Sequence, residues 1–225
     1  MRSVAFDAVL FDLDGVLVDT EPWWDAVRLE FARGHGRPWG IEDQHAVMGG
    51  NSREWSETMR ERLALDHLDA AAIEDAIVAG VVGMYRTTPV PVITGAPEAV
   101  RRIAASHPVA IASSAHRAVI EAAVEAMGLG GVLGAVVSSD DVPAGKPEPD
   151  VYLLAARRLG VAPERCLVVE DSANGVRAGK AAGMTVVLIP NASTPPPAEA
   201  VERADIVLDR IGDLDPGPPP GSIRP

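Results

Sequence analysis

The sequence predicts an α/β protein whose core is a parallel sheet covered by helices, with a block of helices inserted after the first strand. Three patterns carry that expectation. Short apolar segments alternate with segments whose apolar residues recur every three or four positions, as a parallel sheet with crossover helices requires. Between residues 20 and 88 the strand patterns stop and helical ones follow each other. Polar residues come directly after several of the apolar segments, the place where open parallel sheets bind ligands.

Strands are expected at 8–12, 109–113, 132–138, 166–170, 185–189 and 205–208. Helical spacing is clear at Ile120, Ala123, Val124 and Met127, and Gly128, Gly160 and Gly183 stand where such helices should stop. In the insertion, Pro22 suits a first helical turn with Trp24, Val27 and Phe31 on one face, and Ile73, Ile77, Val81 and Met84 form a second stripe. Both stripes read as core. Segments 17–21 and 87–91, the second stiffened by Pro89 and Pro91, are expected to form a two-stranded hinge. The chain thus divides into a core of 1–19 and 89–212, a helical domain of 20–88 and a Pro/Gly-rich tail, 213–225, expected to lack fixed structure.

Composition narrows the function. A chain of 225 residues with 47% hydrophobic residues can bury a sizeable core. Its net charge of −12 argues against nucleic-acid binding, which relies on basic residues neutralising phosphates. Any anion site must then be locally positive. Cys166, the sole cysteine, lies in an apolar run and reads as a buried thiol, which fits a reducing cytoplasm. The N-terminal residues do not read as a signal peptide, and no apolar stretch is long enough for a membrane span. A monomer or weak homodimer is expected.

Four segments carry chemistry. In Asp12-Leu13-Asp14-Gly15, two carboxylates two residues apart at a strand end can face one point, and Gly15 lets the backbone turn so that amides approach an anion. That combination points to metal-assisted phosphoryl chemistry. Ser113 and Ser114 end the second apolar segment. Lys146, held between Gly145 and Pro147, offers a compact charge for a phosphate oxygen, and Lys180 is the only other lysine. Glu170 and Asp171 end a further apolar segment. Each segment alone also reads blandly, as an acidic turn, a helix cap or a solvated loop charge.

Taken in order, Asp12-Leu13-Asp14-Gly15, Ser113, Lys146 and Glu170-Asp171 resemble the haloacid dehalogenase superfamily of phosphotransferases, and more closely its branch with a helical cap after the first motif, which includes β-phosphoglucomutase-like and sugar phosphatase-like members. The resemblance covers nearly all of residues 7–209. It implies a Rossmann-like core with an inserted α-helical cap and a Mg²⁺-dependent phosphatase of small phosphorylated metabolites, sugar or polyol phosphates, working through an aspartyl-phosphate. Asp12 would be the nucleophile and Asp14 the general acid and then base. Ser113 and Lys146 would hold the phosphoryl group, while Asp12, the Asp14 carbonyl, Glu170 and Asp171 would hold Mg²⁺.

The turn at 48–53 is similar to the family's cap specificity loop, so Gly50 and Arg53, with Ser114, Glu21, Trp24 and Asn174, are the expected substrate contacts. The main alternative is an isomerase of the β-phosphoglucomutase type. Such enzymes carry a histidine where Trp24 stands and a cap lysine, and residues 20–88 hold no lysine. The dehalogenase branch lacks the second acid that Asp14 supplies, and a receiver-type phospho-signalling module would lack the helical insertion.

Overall fold

The computed structural model describes residues 6–47 and 51–218. After β1 (Ala8–Phe11) come four helices, α1 (Glu21–Gly34), α2 (Ile41–Val47), α3 (Ser52–Arg62) and α4 (Ala70–Thr87), then α5 (Ala96–Ala104) and β2 (Val109–Ser113). From there helices and strands alternate: α6 (Arg117–Ala126), β3 (Ala135–Ser138), α7 (Asp150–Leu159), β4 (Cys166–Glu170), α8 (Ala173–Ala181), β5 (Thr185–Leu188), α9 (Ala198–Arg203) and β6 (Ile206–Val207). All pairings are parallel, in the order β3-β2-β1-β4-β5-β6.

The two-residue period of a strand divides the core into two layers. Val9, Phe11, Val109, Ile111, Leu167 and Val169 face one side, where α5 and α6 present Val100, Ile103, Val119 and Ile120. Ala8, Leu10, Ala110, Ala112 and Val168 face the other, against Val151, Tyr152 and Ala155 of α7 and Val176 of α8. The alanines on this second face leave room for α7 to lie across β1, β2 and β3. That brings Tyr152 fully under the sheet. Because β1 pairs with β2 on one side and β4 on the other, the strand order reverses beside β1. A crevice opens at such a reversal, at the carboxyl ends of the strands.

The inserted helices build an apolar interior of their own that joins the first layer. Trp23 meets Tyr85 edge to face at 5.1 Å, and Trp24 meets Trp55 at 6.0 Å. Asn51 and Glu54 form a reciprocal cap on α3, and Asp69 caps α4. Of the expected stripes, Trp24, Ile73, Ile77 and Val81 are buried, whereas Val27, Phe31 and Met84 lie at the margin. The buried arc is rotated toward Trp23, Ala32 and Tyr85. The connections on either side of the insertion pair as a short antiparallel ladder, Asp19 N to the Pro91 carbonyl at 2.8 Å and Ile93 N to the Leu17 carbonyl at 3.0 Å. The pairing runs slightly later in the return segment than 87–91.

Element boundaries differ where local hydrogen bonds intervene. β3 begins at Ala135 instead of 132, because Val132 N turns back to the Leu129 carbonyl. β6 is reduced to an edge pair, with Ile206 and Val207 exposed. The beginning of the expected tail packs: Leu214 is buried, its carbonyl accepts from Arg102, and the Pro216 carbonyl accepts from Phe6 N. Residues 219–225 lie outside the described residues. Among the described residues no helix is long and apolar enough to cross a membrane.

Ile111, fully buried on the interior strand β2, and Val207, 44% exposed on the edge, set the expected range of core sensitivity. Ile111→Ala should lower the unfolding free energy by about 2–5 kcal/mol, and Val207→Ala should stay within about 0.5 kcal/mol of wild type. Urea unfolding checks both, and equal losses would contradict the layering.

Candidate active site

The polar residues that follow β1, β2 and β4 converge with Lys146 at the strand-order reversal. Asp12 leaves the sheet with its amide still bonded to the Val169 carbonyl at 3.0 Å. The chain then turns tightly, with Gly15 N bonded to the Val18 carbonyl at 2.7 Å and Leu13 and Leu17 buried as anchors. Gly15 has φ +84°, and a Cβ there would overlap the Asp171 carboxylate. Glycine is therefore required twice over, for the turn and for the close approach of an acid. Asp14 accepts a hydrogen bond from the buried Thr20 hydroxyl.

Lys146 Nζ donates to Asp12 Oδ1 and to Glu170 Oε1, both at 2.6 Å, and lies 4.9 Å from the centre of the Tyr152 ring. Glu170 is fully buried and its oxygens are filled. Oε1 also accepts from the Tyr152 hydroxyl at 2.6 Å, and Oε2 accepts from Asp171 N, Ser172 N and Ser172 Oγ at 3.1, 3.2 and 3.0 Å. A Cβ at residue 175 would collide with this carboxylate, so Gly175 makes its space. Ser113, 1% exposed, accepts from Ala115 N at 3.0 Å, which leaves its hydroxyl proton free to donate.

Charge is out of balance here. Carboxylate oxygens of Asp12, Glu170 and Asp171 lie within 4.8 Å of one another, with Lys146 as the cation among them. Burial pushes the Asp12 carboxyl up to about 7 despite Lys146, with Glu170 and Asp14 adding to the rise. Burial, then Glu170 and Asp12, lift Asp171 well above the ordinary range, and burial also raises Asp14. Glu170 goes the other way: burial opposes ionisation, but Lys146 and the surrounding donors overcome it. Burial opposes the ammonium of Lys146 as well, and Asp12 and Glu170 reverse that. Hard oxygen donors with a deficit of positive charge fit a hard divalent cation such as Mg²⁺.

The crevice widens into a cavity of about 650 Å³ between the sheet and the inserted helices. Of the residues expected from the sequence, Asp12, Asp14, Ser113, Ser114, Lys146, Asp171, Glu21, Trp24 and Asn174 line it. Two expectations change. Glu170 lies beneath the cavity instead of lining it, with donors on both of its oxygens, so it anchors Lys146 and the turn after β4 while its carboxylate stays within 4.8 Å of those of Asp12 and Asp171. Arg53 is exposed on α3 and is not among the cavity residues, because the side of α3 turned to the cavity carries Trp55. Gly50 lies outside the described residues.

Several cavity residues were not anticipated, chiefly Arg28, His45, Trp55 and the segment from Asn191 to Pro197. Arg28 had a readable signal: it is four residues after Trp24 and seven after Glu21, on the same helical face. The segment after β5 had none. It is placed by Ser193 Oγ and Asn191 Nδ2, which donate to Asp19 at 2.6 and 3.4 Å.

Comparison with known proteins is consistent across sequence and fold. A family profile described as haloacid dehalogenase-like hydrolase matches residues 6–183. Hexitol phosphatase A of Escherichia coli strain K12 is 34% identical over 226 residues, covering 94% of this chain and 93% of that protein. Fructose-1-phosphate phosphatase YqaB of the same organism is 31% identical over 184 residues, covering 81% and 95%. The chain spans 54% of the bifunctional riboflavin kinase/FMN phosphatase of Arabidopsis thaliana, to which it is 32% identical. Among solved structures, CbbY from Rhodobacter sphaeroides in complex with phosphate aligns with a TM-score of 0.82 at 27% identity, over 93% of this chain and 96% of that one.

The raised Asp171 carboxyl makes a stability prediction with a definite sign. A carboxyl raised on folding favours the fold at low pH and loses that contribution as pH rises through its folded value. Among the described residues its carboxylate takes no hydrogen bond that asparagine would break. Asp171→Asn should therefore melt several degrees above wild type in metal-free protein near neutral pH, on the scale of about 1–2 kcal/mol. The gap should close as pH falls toward the ordinary carboxylate range. A lower melting temperature for the variant would contradict the charge imbalance.

Proposed function

The chain belongs to the haloacid dehalogenase-like hydrolases and is a phosphoric monoester hydrolase, and on that premise we propose that it is a Mg²⁺-dependent phosphatase acting on sugar or polyol phosphates through an aspartyl-phosphate. The observation that carries the reading is the buried Lys146, bound at 2.6 Å to both Asp12 and Glu170 in the lining of a cavity that Asp14, Ser113 and Asp171 also line. Similarity to the hexitol and fructose-1-phosphate phosphatases supports the substrate class.

Lys146 occupies Oδ1 of Asp12, and an oxygen of that carboxylate attacks phosphorus as the ester P–O bond breaks. Asp14, whose burial favours the protonated form, gives its proton to the leaving alkoxide and then takes one from the water that attacks the phosphoryl group. Phosphate departs and Asp12 is restored. Ser113 and Lys146 hold the phosphoryl oxygens through the transfer, and Lys146 offsets repulsion between Asp12 and the substrate. Asp12, Asp171 and the Asp14 carbonyl would hold Mg²⁺, whose charge would keep Asp12 ionised and neutralise the transferring oxygens. Residues 20–88 act as a cap over the core of 1–19 and 89–212, with the paired connections at Leu17–Asp19 and Pro91–Ile93 as its hinge.

Phosphate release from fructose 1-phosphate and from mannitol 1-phosphate with Mg²⁺ is the direct test, and EDTA should stop it until Mg²⁺ is restored. Asp12→Asn should lose at least about 10⁴-fold in kcat while keeping its fold by circular dichroism. Retained turnover in that variant would remove the covalent route. Trp24 and the lysine-free cap favour hydrolysis over mutation of the sugar phosphate. Phosphorus NMR with β-glucose 1-phosphate and catalytic glucose 1,6-bisphosphate separates them: conversion to glucose 6-phosphate without phosphate release would identify an isomerase.

A further inference from the structure

Arg28 is a buried cation in the wall of the substrate cavity, with 4% of its surface exposed. Its guanidinium lies 5.2 Å from the centre of the Trp24 ring and 5.6 Å from that of Trp55, so two aromatic faces fix its plane. A guanidinium carries five N–H donors in a rigid fork. Among the described residues it makes one long hydrogen bond, 3.5 Å to Glu21 Oε1, and its Nε has no partner. Buried donors of this kind are normally satisfied. In a cavity, a bound molecule supplies the missing acceptors.

The charges nearby say what kind of acceptor. Glu21 at 3.5 Å and Asp25 at 3.9 Å already face Arg28, and Asp14 acts on it across the cavity. The group therefore has no surplus positive charge for a second phosphate. Glu21, which also lines the cavity, brings acceptors beside the donors of Arg28. A donor fork next to a carboxylate pairs with vicinal hydroxyls, and the Trp24 and Trp55 walls suit the C–H faces of a sugar or polyol.

We propose that Arg28, held between Trp24 and Trp55, is the specificity-determining residue of this site: with Glu21 it binds hydroxyls of an uncharged polyol or sugar tail and disfavours substrates carrying a second anionic group. This rests on the phosphatase reading above. It also moves substrate selection from Arg53 on α3 to the Glu21-Trp24-Arg28 face of α1.

Steady-state kinetics with Mg²⁺ on fructose 1-phosphate, fructose 1,6-bisphosphate and p-nitrophenyl phosphate tests it. Wild type should prefer fructose 1-phosphate to the bisphosphate by about tenfold or more in kcat/KM. Arg28→Met should raise KM for fructose 1-phosphate by about tenfold or more, with a smaller change in kcat. Arg28→Lys, which keeps the charge beside Glu21 and Asp25 but not the fork, should show most of the same loss and covers the case in which the methionine variant fails to fold. Glu21→Gln, by removing a negative charge from the wall, should narrow the gap between mono- and bisphosphate. A wild-type preference for the bisphosphate would overturn the assignment. So would an Arg28 variant whose loss falls on kcat and is as large for p-nitrophenyl phosphate, which has no tail, as for fructose 1-phosphate. A wild type inert on all three substrates would instead overturn the phosphatase reading, and the role of Arg28 with it.

Discussion

One ammonium group organises this site. Lys146 Nζ sits 2.6 Å from carboxylate oxygens of both Asp12 and Glu170, each delivered by a neighbouring strand of a parallel sheet. Two buried carboxylates side by side are unfavourable without a cation between them, and an unpaired buried ammonium is unfavourable without them. The three groups therefore depend on each other. The surrounding structure serves that arrangement: Tyr152 reaches Glu170 from α7, the amides of Asp171 and Ser172 fill its second oxygen, and Gly175 leaves space for its carboxylate.

What remains unbalanced is chemically useful. Glu170 is saturated and ionised, but burial raises Asp12, Asp14 and Asp171, and neighbouring carboxylates add to the rise of Asp12 and Asp171. A protein optimised only for stability would neutralise or hydrate such groups, and their retention is the usual trade between stability and a reactive site. The same burial serves two ends. It leaves a place for divalent charge between Asp12 and Asp171, and it shifts Asp14 toward its protonated form.

The inserted helices complete the site with different physics. The sheet end contributes charge, while α1 and α3 contribute aromatic surface through Trp24 and Trp55 with Arg28 set between them. Core and insertion are joined by two short connections that bond at Leu17–Asp19 and Pro91–Ile93, and Asp19 is further tied to Asn191 and Ser193. The connections at the base of the insertion thus touch a loop that itself lines the cavity.

The sequence by itself determined the layered α/β core, the helical insertion and the convergence of Asp12, Asp14, Ser113 and Asp171, because each follows from a local period or from a polar residue placed at the end of an apolar strand, while Lys146, in a loop well beyond β3, was legible only through the family resemblance. Strands such as Val109–Ser113 and Cys166–Glu170 have the expected bounds for the same reason. Only the tertiary structure decided that Glu170 is a saturated anchor, since its hydrogen bonds come from Lys146, Tyr152 and Ser172, which no local pattern connects. Only the packing of α1 and α3 against their neighbours turned Arg28 inward and left Arg53 in solvent. Position along the chain sets which way a strand side chain points, but which helix face meets a cavity depends on how the helices pack, and that is settled by contacts distant in sequence.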